Sequence, residues 1–383
     1  MERYIKRKTE EMLQLIERLV NIDSGSYVKE GVDQVGQILR EEFRQLGFVT
    51  RVKREEEFGD HLVLRHKHAK DPKIIILAHM DTVFPEGTVA ERPFRIEGNR
   101  AFGPGVVDMK SSLVVLLYAI KSLIKHGSKS VENVEIILNS DEEVGSPTSR
   151  RLIEERSKGK KFALAMEPAR KDGSLVAARR GSGKYKLFVH GRAAHSGIEP
   201  EKGRSAIEEL AYKIIQLHDL TDHENGVSVN VGLIEGGSAV NTVSDHAMAH
   251  VDVRISEKEQ GVYLEKKIQE ICSTTEVPGT KIVLEGEMGR PPMEHNEQNR
   301  SLLRIIKGVG KEIGVDVSAT STGGGGDASF TAATGVATVD GLGPVGGNAH
   351  RDTEYLEIDT LPERTLLLAK TIERLSAMKS QLQ

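Results

Sequence analysis

The pattern of apolar positions divides the chain into segments of helical and of extended periodicity. Apolar residues recur at helical spacing over Tyr4–Val20 and Val32–Leu46, which predicts two amphipathic helices. Strand patterns follow at Phe48–Val52 and His61–His66. The unbroken apolar run Lys73–His79 is typical of a strand that is buried on both faces.

Helices and strands then alternate along the chain. The pattern predicts a helix over about Ser111–His126, a strand at Val134–Asn139, a helix from Pro147 with Ser146 as its N-cap, and a strand at Phe162–Met166. Such alternation predicts an α/β fold, a three-layer domain around a mostly parallel mixed sheet.

The order of elements changes after Arg179. The next predicted elements are a strand (Tyr185–His190), a helix (Gly203–Leu217), two strands (Val227–Ile234 and Ala247–Ile255), a helix (Glu257–Cys272) and a strand (Lys281–Glu285). This βαββαβ order is ferredoxin-like. We therefore predict one α/β domain, residues 1–180 and 288–383, interrupted by a ferredoxin-like α+β insertion, residues 181–287. Arg179 and Arg180 at the junction are expected to form a solvated hinge.

Charge and cysteine content narrow the function classes. The 53 Lys and Arg nearly balance the 57 Asp and Glu, so the net charge of -4 gives no field that would attract nucleic acid or an anionic membrane. The longest apolar run, Leu113–Ile120, is far shorter than the roughly 20 residues of a membrane span. The single cysteine, Cys272, excludes an internal disulfide and is expected to pack in the core. A cytoplasmic protein without nucleic-acid or membrane partners is predicted.

Chemically active side chains follow the predicted strands, where open α/β sheets collect ligands. They are His79 with Asp81, Asp108, Glu142 with Glu143, Glu167, and His350. Two histidines with several carboxylates and no thiolate suit one or two divalent cations, Zn²⁺ above all.

Spacing within these groups suggests separate tasks. Asp81, two residues after His79, can accept a hydrogen bond from the imidazole N–H that points away from a metal. Glu142 and Glu143 are neighbours on a turn and point in different directions. One of them can therefore bind a metal while the other takes a proton from water.

A set of motifs in a fixed order connects these residues with a known family. The motifs are His79-Met-Asp81, Gly103-Pro-Gly-Val-Val-Asp-Met-Lys110, Asp141-Glu-Glu-Val-Gly145, Met166-Glu167-Pro168, Gly191-Arg-Ala-Ala-His-Ser-Gly197, Val251-Asp-Val-Arg254, Gly324-Gly-Gly-Asp327 and Ala349-His350. Together they span nearly the whole chain and resemble the M20 family of co-catalytic zinc peptidases. The glutamate carboxypeptidase branch is the most similar.

The resemblance implies a role for each residue of the centre. His79 and Glu167 would bind one zinc, Glu143 and His350 the other, and Asp108 would bridge both; Co²⁺ or Mn²⁺ could occupy the same sites. Asp81 would orient His79. Glu142 would be the general base that deprotonates the attacking water and then protonates the leaving amine. A cis peptide between Asp108 and Met109 is also implied.

The resemblance implies that residues 1–180 and 288–383 form the catalytic domain and that residues 181–287 form a lid and dimerisation domain. It assigns the remaining residues to substrate binding in a homodimer. His195 would reach the partner subunit's active site and stabilise the oxyanion of the tetrahedral intermediate. Asn241 and Arg254 would hold the substrate, with Arg254 binding a terminal carboxylate. Gly324 and Gly325 would line the substrate side, although the chain has four glycines where relatives commonly place Ser or Thr before the Asp.

The predicted function is cleavage of an amide bond next to a free carboxylate. A carboxypeptidase, a glutamate-type one included, or an N-acyl-amino-acid hydrolase would act on small peptides or N-acyl amino acids. Glu167 favours this side, because aminopeptidases of the family tend to have Asp at that position. The alternatives are a di- or aminopeptidase, a biosynthetic deacetylase and, more remotely, a non-catalytic dimeric binding protein.

Overall fold

Two compact units make up the chain in the computed structural model, which describes residues 1–378. The α/β unit comprises Met1–Ala178, His295–Thr322 and the chain from Gly326 onward, and the insert unit comprises Arg179–Glu294 with Gly323–Gly325. The insert unit extends beyond the predicted residues 181–287 because its last strand continues to Arg290. Its assignment as a lid and dimerisation domain stays a prediction.

The elements are numbered in chain order. The first part of the chain contains α1 (Glu2–Arg7), α2 (Thr9–Val20), α3 (Lys29–Gln45), β1 (Phe48–Lys53), β2 (His61–His66), β3 (Ile74–His79), α4 (Thr88–Glu91), β4 (Arg95–Glu97), β5 (Arg100–Phe102), α5 (Ser111–Lys125), β6 (Val134–Asn139), α6 (Arg150–Ser157), β7 (Phe162–Ala165) and β8 (Leu175–Arg179). The insert unit contains β9 (Gly181–His190), β10 (Ala194–His195), α7 (Ala206–His218), β11 (Ser228–Gly236), β12 (Thr242–Val243), β13 (His246–Ile255), α8 (Lys258–Ser273) and β14 (Lys281–Arg290). The last part contains α9 (Glu297–Ile313), β15 (Ala319–Thr322), α10 (Ala328–Ala333), β16 (Ala337–Val339), β17 (Gly346–Gly347), β18 (Tyr355–Glu357) and α11 (Thr360–Ala377).

A six-stranded mixed sheet forms the middle of the α/β unit, in the order β1-β2-β6-β3-β7-β16. Strand β3 pairs in parallel with β6 and β7, and β16 pairs in parallel with β7. Strand β2 is antiparallel to both of its neighbours, β1 and β6. All six residues of β3 and of β6 are buried, as their unbroken apolar runs predict. The predicted α/β fold with a mostly parallel sheet is confirmed.

Helix α5 is buried along nearly its whole length, because α2 and α11 pack against it. Its apolar run therefore belongs to the largest core cluster of the α/β unit. Within residues 1–378, no helix has both the length and the apolar composition needed to cross a membrane.

The predicted opening helix is instead two helices. Helix α1 ends before Lys8, whose backbone N–H donates to Ile5 O at 2.8 Å, and α2 starts at Thr9. The Thr9 hydroxyl donates to Lys6 O at 3.0 Å, across the break. Apolar spacing continues through the break, which explains why periodicity alone predicts a single helix.

The helix predicted from Pro147 begins only at Arg150, and Ser146 is not its N-cap. Ser146 has a positive φ of 61°, and its hydroxyl donates to Asp327 at 2.5 Å. The next residues form a turn whose amides, including Ser149 N–H, donate to the carboxylate of Asp141. These side-chain contacts delay the helix by three residues.

The insert unit has the predicted ferredoxin-like arrangement. Its antiparallel sheet has the order β11-β13-β9-β14, and α7 and α8 pack against it. Along β13 the residues alternate, so that Val251 and Val253 are buried while Asp252 and Arg254 are half-buried. Cys272 packs in this core as expected, and burial raises the pKa of its thiol to about 11.

Arg179 is buried, contrary to the expected solvated hinge. Its Nη1 donates to the carbonyl oxygens of Gly324 at 3.2 Å and Gly325 at 2.8 Å. Arg179 therefore holds the glycine loop within the insert unit.

A buried carboxylate joins three cationic side chains beside the central sheet. Glu135 on β6 accepts hydrogen bonds from Arg65, from Arg156 Nε at 2.5 Å and from Lys160 Nζ at 3.0 Å. Its side chain has no exposed surface. Burial alone would raise the pKa of Glu135, but the bonds from Arg156 and Lys160 outweigh burial and lower it.

We expect Glu135→Gln to lower the free energy of unfolding by about 2–4 kcal/mol at neutral pH, because the buried Lys160 and the partly exposed Arg65 and Arg156 lose their countercharge. The pKa of Glu135 is lower in the folded than in the unfolded chain, so this stabilisation is complete above pH ~5 and is lost as pH falls through the folded pKa. Urea unfolding from pH 7 downward measures it. Glu155→Gln, which breaks the exposed pair with Arg151 at 2.8 Å, is the control and should change little. Equal effects of both variants would contradict this account.

Candidate metal centre

Five elements of the α/β unit bring the predicted ligands to one edge of its sheet. His79 is the last residue of β3, Glu143 lies in the turn after β6, and Glu167 follows β7 by two residues. Asp108 lies in the turn that precedes α5, and His350 lies between β17 and β18. Because β3, β6 and β7 are parallel, their carboxyl ends meet at this edge.

The carboxylate of Asp108 lies between the two histidines. Its Oδ1 is 3.3 Å from His79 Nε2, and its Oδ2 is 3.2 Å from His350 Nε2. One further carboxylate approaches each histidine: Glu167 Oε1 is 3.6 Å from His79 Nε2, and Glu143 Oε2 is 3.2 Å from His350 Nε2. The arrangement is two groups of donors that share Asp108.

Several of these donor atoms are buried and have no hydrogen-bond partner among the described residues. They are His79 Nε2, Asp108 Oδ1 and Glu143 Oε1. Buried polar atoms are normally satisfied, and a cation would satisfy all three. The nitrogen and oxygen donors, without thiolate, fit Zn²⁺ and other borderline divalent cations.

Both glutamates of the turn come close to the centre. Donor atoms of His79, Asp108 and Glu143 lie within 4.8 Å of one another, and so do donor atoms of His79, Glu142 and Glu167. Glu143 also contacts His350. The contact with His350 favours Glu143 as the ligand, which leaves the carboxylate of Glu142 beside the centre.

Burial and closely spaced charged groups shift the pKa values of the residues at the centre. Burial would lower the pKa of His79, but the neighbouring carboxylates of Asp108 and Asp81 raise it well above its usual value. Hydrogen bonds to the carboxylates of Asp108 and Glu143 raise the pKa of His350 to about 11. Burial, with the charge of Asp108, raises the pKa of Glu167 well above its usual value. Protons and cations therefore compete for the same atoms.

Asp81 orders the turn that carries the two glutamates. Its carboxylate accepts the backbone N–H groups of Glu142 and Glu143, each at 3.2 Å, and the hydroxyl of Ser26 at 2.7 Å. His79 Nδ1 is 3.0 Å from the carbonyl oxygen of Asp81 and 3.4 Å from its carboxylate. The contact with His79 thus involves the backbone as well as the predicted carboxylate.

Two further buried carboxylates hold the surrounding loops, and neither was predicted. Asp141 accepts Thr148 N–H at 2.7 Å and Ser149 N–H at 3.1 Å, which fixes the far side of the glutamate turn. Glu354 accepts Val107 N–H at 2.8 Å and Asp108 N–H at 3.0 Å. Burial raises the pKa of Glu354 to about 8.

The one sequence feature that points to Glu354 is its position, four residues after His350.

The backbone on both sides of the centre is unusual: the Asp108–Met109 peptide is cis, as the family resemblance implies, and His350 has a positive φ of 65°. The loop of Glu354 contains one predicted ligand, His350, and holds the backbone N–H of another, Asp108.

The remaining predicted site residues lie in the insert unit. His195 in β10 pairs with Thr242 in β12, and the carbonyl of Asn241 accepts Ser196 N–H at 3.0 Å, so the strand pair places His195 near Asn241. The carbonyls of Gly324 and Gly325 accept from Arg179, as described above. Arg254 in β13 donates to the carboxylate of Asp252.

An α/β sheet with a histidine and carboxylate cluster at its carboxyl edge defines a metallohydrolase type of site. Residues 75–374 match the model of Peptidase family M20/M25/M40, and the chain belongs to this family. The resemblance seen in the motifs is confirmed.

Individual relatives agree with the family match. Carboxypeptidase G2 of Pseudomonas sp. (strain RS-16) is 31% identical over 373 residues, which cover 96% of this chain and 90% of the relative. Succinyl-diaminopimelate desuccinylase of Thioalkalivibrio sulfidiphilus is 25% identical over 88% of this chain and 93% of the relative. The structure of aminopeptidase PepT from Bacillus cereus has a TM-score of 0.79 at 24% identity and covers 96% of this chain and 98% of its own, which shows a shared fold. The chain is therefore a hydrolase of a metal-dependent family.

Proposed function

We propose that this chain is a dizinc hydrolase that cleaves an amide bond next to a free carboxylate, in small peptides or N-acyl amino acids. The observation that carries the proposal is the carboxylate of Asp108 between His79 and His350, with one further glutamate at each histidine. Co²⁺ or Mn²⁺ fits the same donors. The names of the two relatives, a carboxypeptidase and a desuccinylase, support hydrolysis of this kind.

Each residue of the centre has a distinct task in this proposal. His79 and Glu167 would hold one ion, His350 and Glu143 would hold the other, and Asp108 would contribute to both. When bound, the ions polarise the scissile carbonyl and make water a stronger acid. Glu142 takes the proton of the attacking water on its carboxylate and delivers it to the nitrogen of the leaving amine. Asp81 keeps the Glu142 backbone in place through the N–H bond.

Substrate recognition falls to the insert unit in this proposal. Arg254 binds the free carboxylate, because a guanidinium matches a carboxylate with two parallel hydrogen bonds. Asn241 supplies a polar contact, and Gly324 and Gly325 form a wall without side chains. Arg179 stabilises this wall by binding both carbonyls.

A homodimer that forms through the insert unit completes the proposal. Strand β11 is at an edge of its sheet and exposes Leu233 and Ile234, with 65% and 63% of their surface accessible. An apolar edge strand favours pairing with another chain. His195, which is exposed, would then act in the partner's site as a donor to the oxyanion, a contribution of ~10²–10³ in rate.

The proposed setting is the cytoplasm, with no nucleic acid or membrane as partner. The single cysteine is unpaired and buried, which fits a reducing compartment. The near balance of 53 cationic and 57 anionic residues supports small-molecule substrates rather than polyanions.

The first prediction from this proposal concerns the substrate. The zinc-loaded protein should hydrolyse N-acyl amino acids and dipeptides that have a free carboxylate, with or without a free amine, and should not hydrolyse the matching carboxamides. Arg254→Ala should raise KM for the carboxylate substrates by about 10–100-fold, since a charge-assisted bond contributes about 1.5–3 kcal/mol. Steady-state kinetics on this panel measures both. Turnover that requires a free amine would instead assign a di- or aminopeptidase.

The second prediction concerns Glu142 and His195. Glu142→Ala and His195→Ala protomers should each be nearly inactive and keep the metal content of the wild type, measured by plasma emission. A re-equilibrated 1:1 mixture of the two protomers should recover about one quarter of the wild-type activity, because about half of its dimers are heterodimers and one of the two sites in each contains both intact residues. Loss of metal in Glu142→Ala would mean that Glu142 is a ligand. Proven heterodimers without activity would contradict the role of His195 in the partner's site.

A further inference from the structure

One ion pair on the open face of the insert sheet involves the proposed substrate-binding arginine. Asp252 and Arg254 are two residues apart on β13, so both side chains project from the same face. Arg254 Nε donates to Asp252 Oδ2 at 2.8 Å, and Arg254 Nη2 donates to Asp252 Oδ1 at 3.1 Å. The pair is bidentate, and about one third of each side chain is accessible, 33% for Arg254 and 38% for Asp252.

The planar geometry of the guanidinium determines which N–H donors of Arg254 are available to a ligand. A guanidinium has five N–H donors in a rigid plane. Asp252 occupies the side edge, formed by Nε and one N–H of Nη2. The end edge, formed by Nη1 and the other N–H of Nη2, has no partner among the described residues. Two parallel donors on this edge match one carboxylate.

We propose that Asp252 is a positioning residue that fixes Arg254 with its end edge free, and that this edge is the part of Arg254 that binds the substrate carboxylate. The inference rests on the proposed function for the identity of the ligand. Asp252 does not touch the substrate; it acts through Arg254.

The residues around the pair support the proposal that Asp252 orients Arg254. Lys184 on β9 lies directly across from Asp252, yet the carboxylate forms its ion pair with Arg254. Ser182 and Ser228 are the cross-strand neighbours of Arg254, and both have short uncharged side chains. No cross-strand neighbour of Arg254 is therefore an anion, and Asp252 is the group that determines its orientation.

Asp252 has two opposite effects on the binding of a carboxylate by Arg254. Its negative charge weakens the attraction between Arg254 and a carboxylate, whereas its two hydrogen bonds remove the rotational freedom that Arg254 would otherwise lose on binding. The pair is partly exposed, so water screens the charge effect while the directional bonds persist. We expect positioning to dominate.

The test is a double-mutant cycle on the free-carboxylate substrates and their carboxamides. Asp252→Ala should raise KM for free-carboxylate substrates by about 3–10-fold, the range expected from ordering one long side chain, and leave kcat within about twofold. Its effect on any carboxamide hydrolysis should be nil. In the Arg254→Ala background, Asp252→Ala should add no further effect.

Glu41→Ala is the matched control. It breaks a pair of the same kind on α3, where Arg44 Nε and Nη2 donate to the two Glu41 oxygens at 2.8 Å and 2.7 Å. This variant should leave KM and kcat unchanged. An unchanged or lower KM in Asp252→Ala, or a further loss in the Arg254→Ala background, would overturn the role of Asp252.

The outcome for Asp252 is separable from the outcome for the proposed function. If the wild-type protein hydrolyses none of the substrates, the proposed function fails. Titration calorimetry then measures the dissociation constant of N-acetyl-glutamate for the wild type, the two single variants at Asp252 and Arg254, and the double variant. A higher dissociation constant in Asp252→Ala than in the wild type, with no such difference in the Arg254→Ala background, would still support the positioning role. Equal constants, or no binding in the wild type, would overturn it.

Discussion

The carboxylate of Asp108 lies between two histidines, and the sheet edge and the loops around it have to bring all three side chains together. It must face His79 and His350, which enter from distant parts of the chain, at 3.3 and 3.2 Å. Parallel pairing of β3 with β6 and β7 supplies the common edge where His79, Glu143 and Glu167 meet. Asp108 and His350 come from loops outside these strands, so their placement needs further support.

That support comes from a surrounding set of buried carboxylates. Asp81 binds the amides of the glutamate turn, Asp141 fixes the residues that follow this turn, and Glu354 binds the amide of Asp108 itself. A carboxylate that accepts backbone N–H groups fixes a loop without requiring regular structure. The centre is therefore a set of irregular turns held by charged side chains at the edge of a rigid sheet.

Regular elements were predictable from the sequence because burial imposes a period on them. The strand at His61–His66 and the ends of β3 and β6 agree with the pattern, and so does the position of His79 at a strand end. The ligand cluster was predictable because parallel strands end together and because the motifs resemble those of a known family. This reasoning needs no knowledge of individual loop contacts.

Loop contacts are where prediction from the sequence stops. Ser146 looks like an N-cap, but it donates to Asp327, about 180 residues away in the chain. Arg179 looks like a solvated hinge residue, but the carbonyls of the glycine loop hold it in a buried position. Glu354 and Ser26 lie in segments without periodicity, and their bonding partners are backbone and side-chain groups that only the tertiary fold brings near.

Anomalous diffraction from crystals of the zinc-loaded protein would locate each ion relative to Asp108. We expect two zinc peaks per chain, one on each side of Asp108. One should be bound by His79 and Glu167 and the other by His350 and Glu143, with Glu142 binding neither. A single peak, or a peak bound by Glu142 while Asp108 contacts only one ion, would contradict this arrangement.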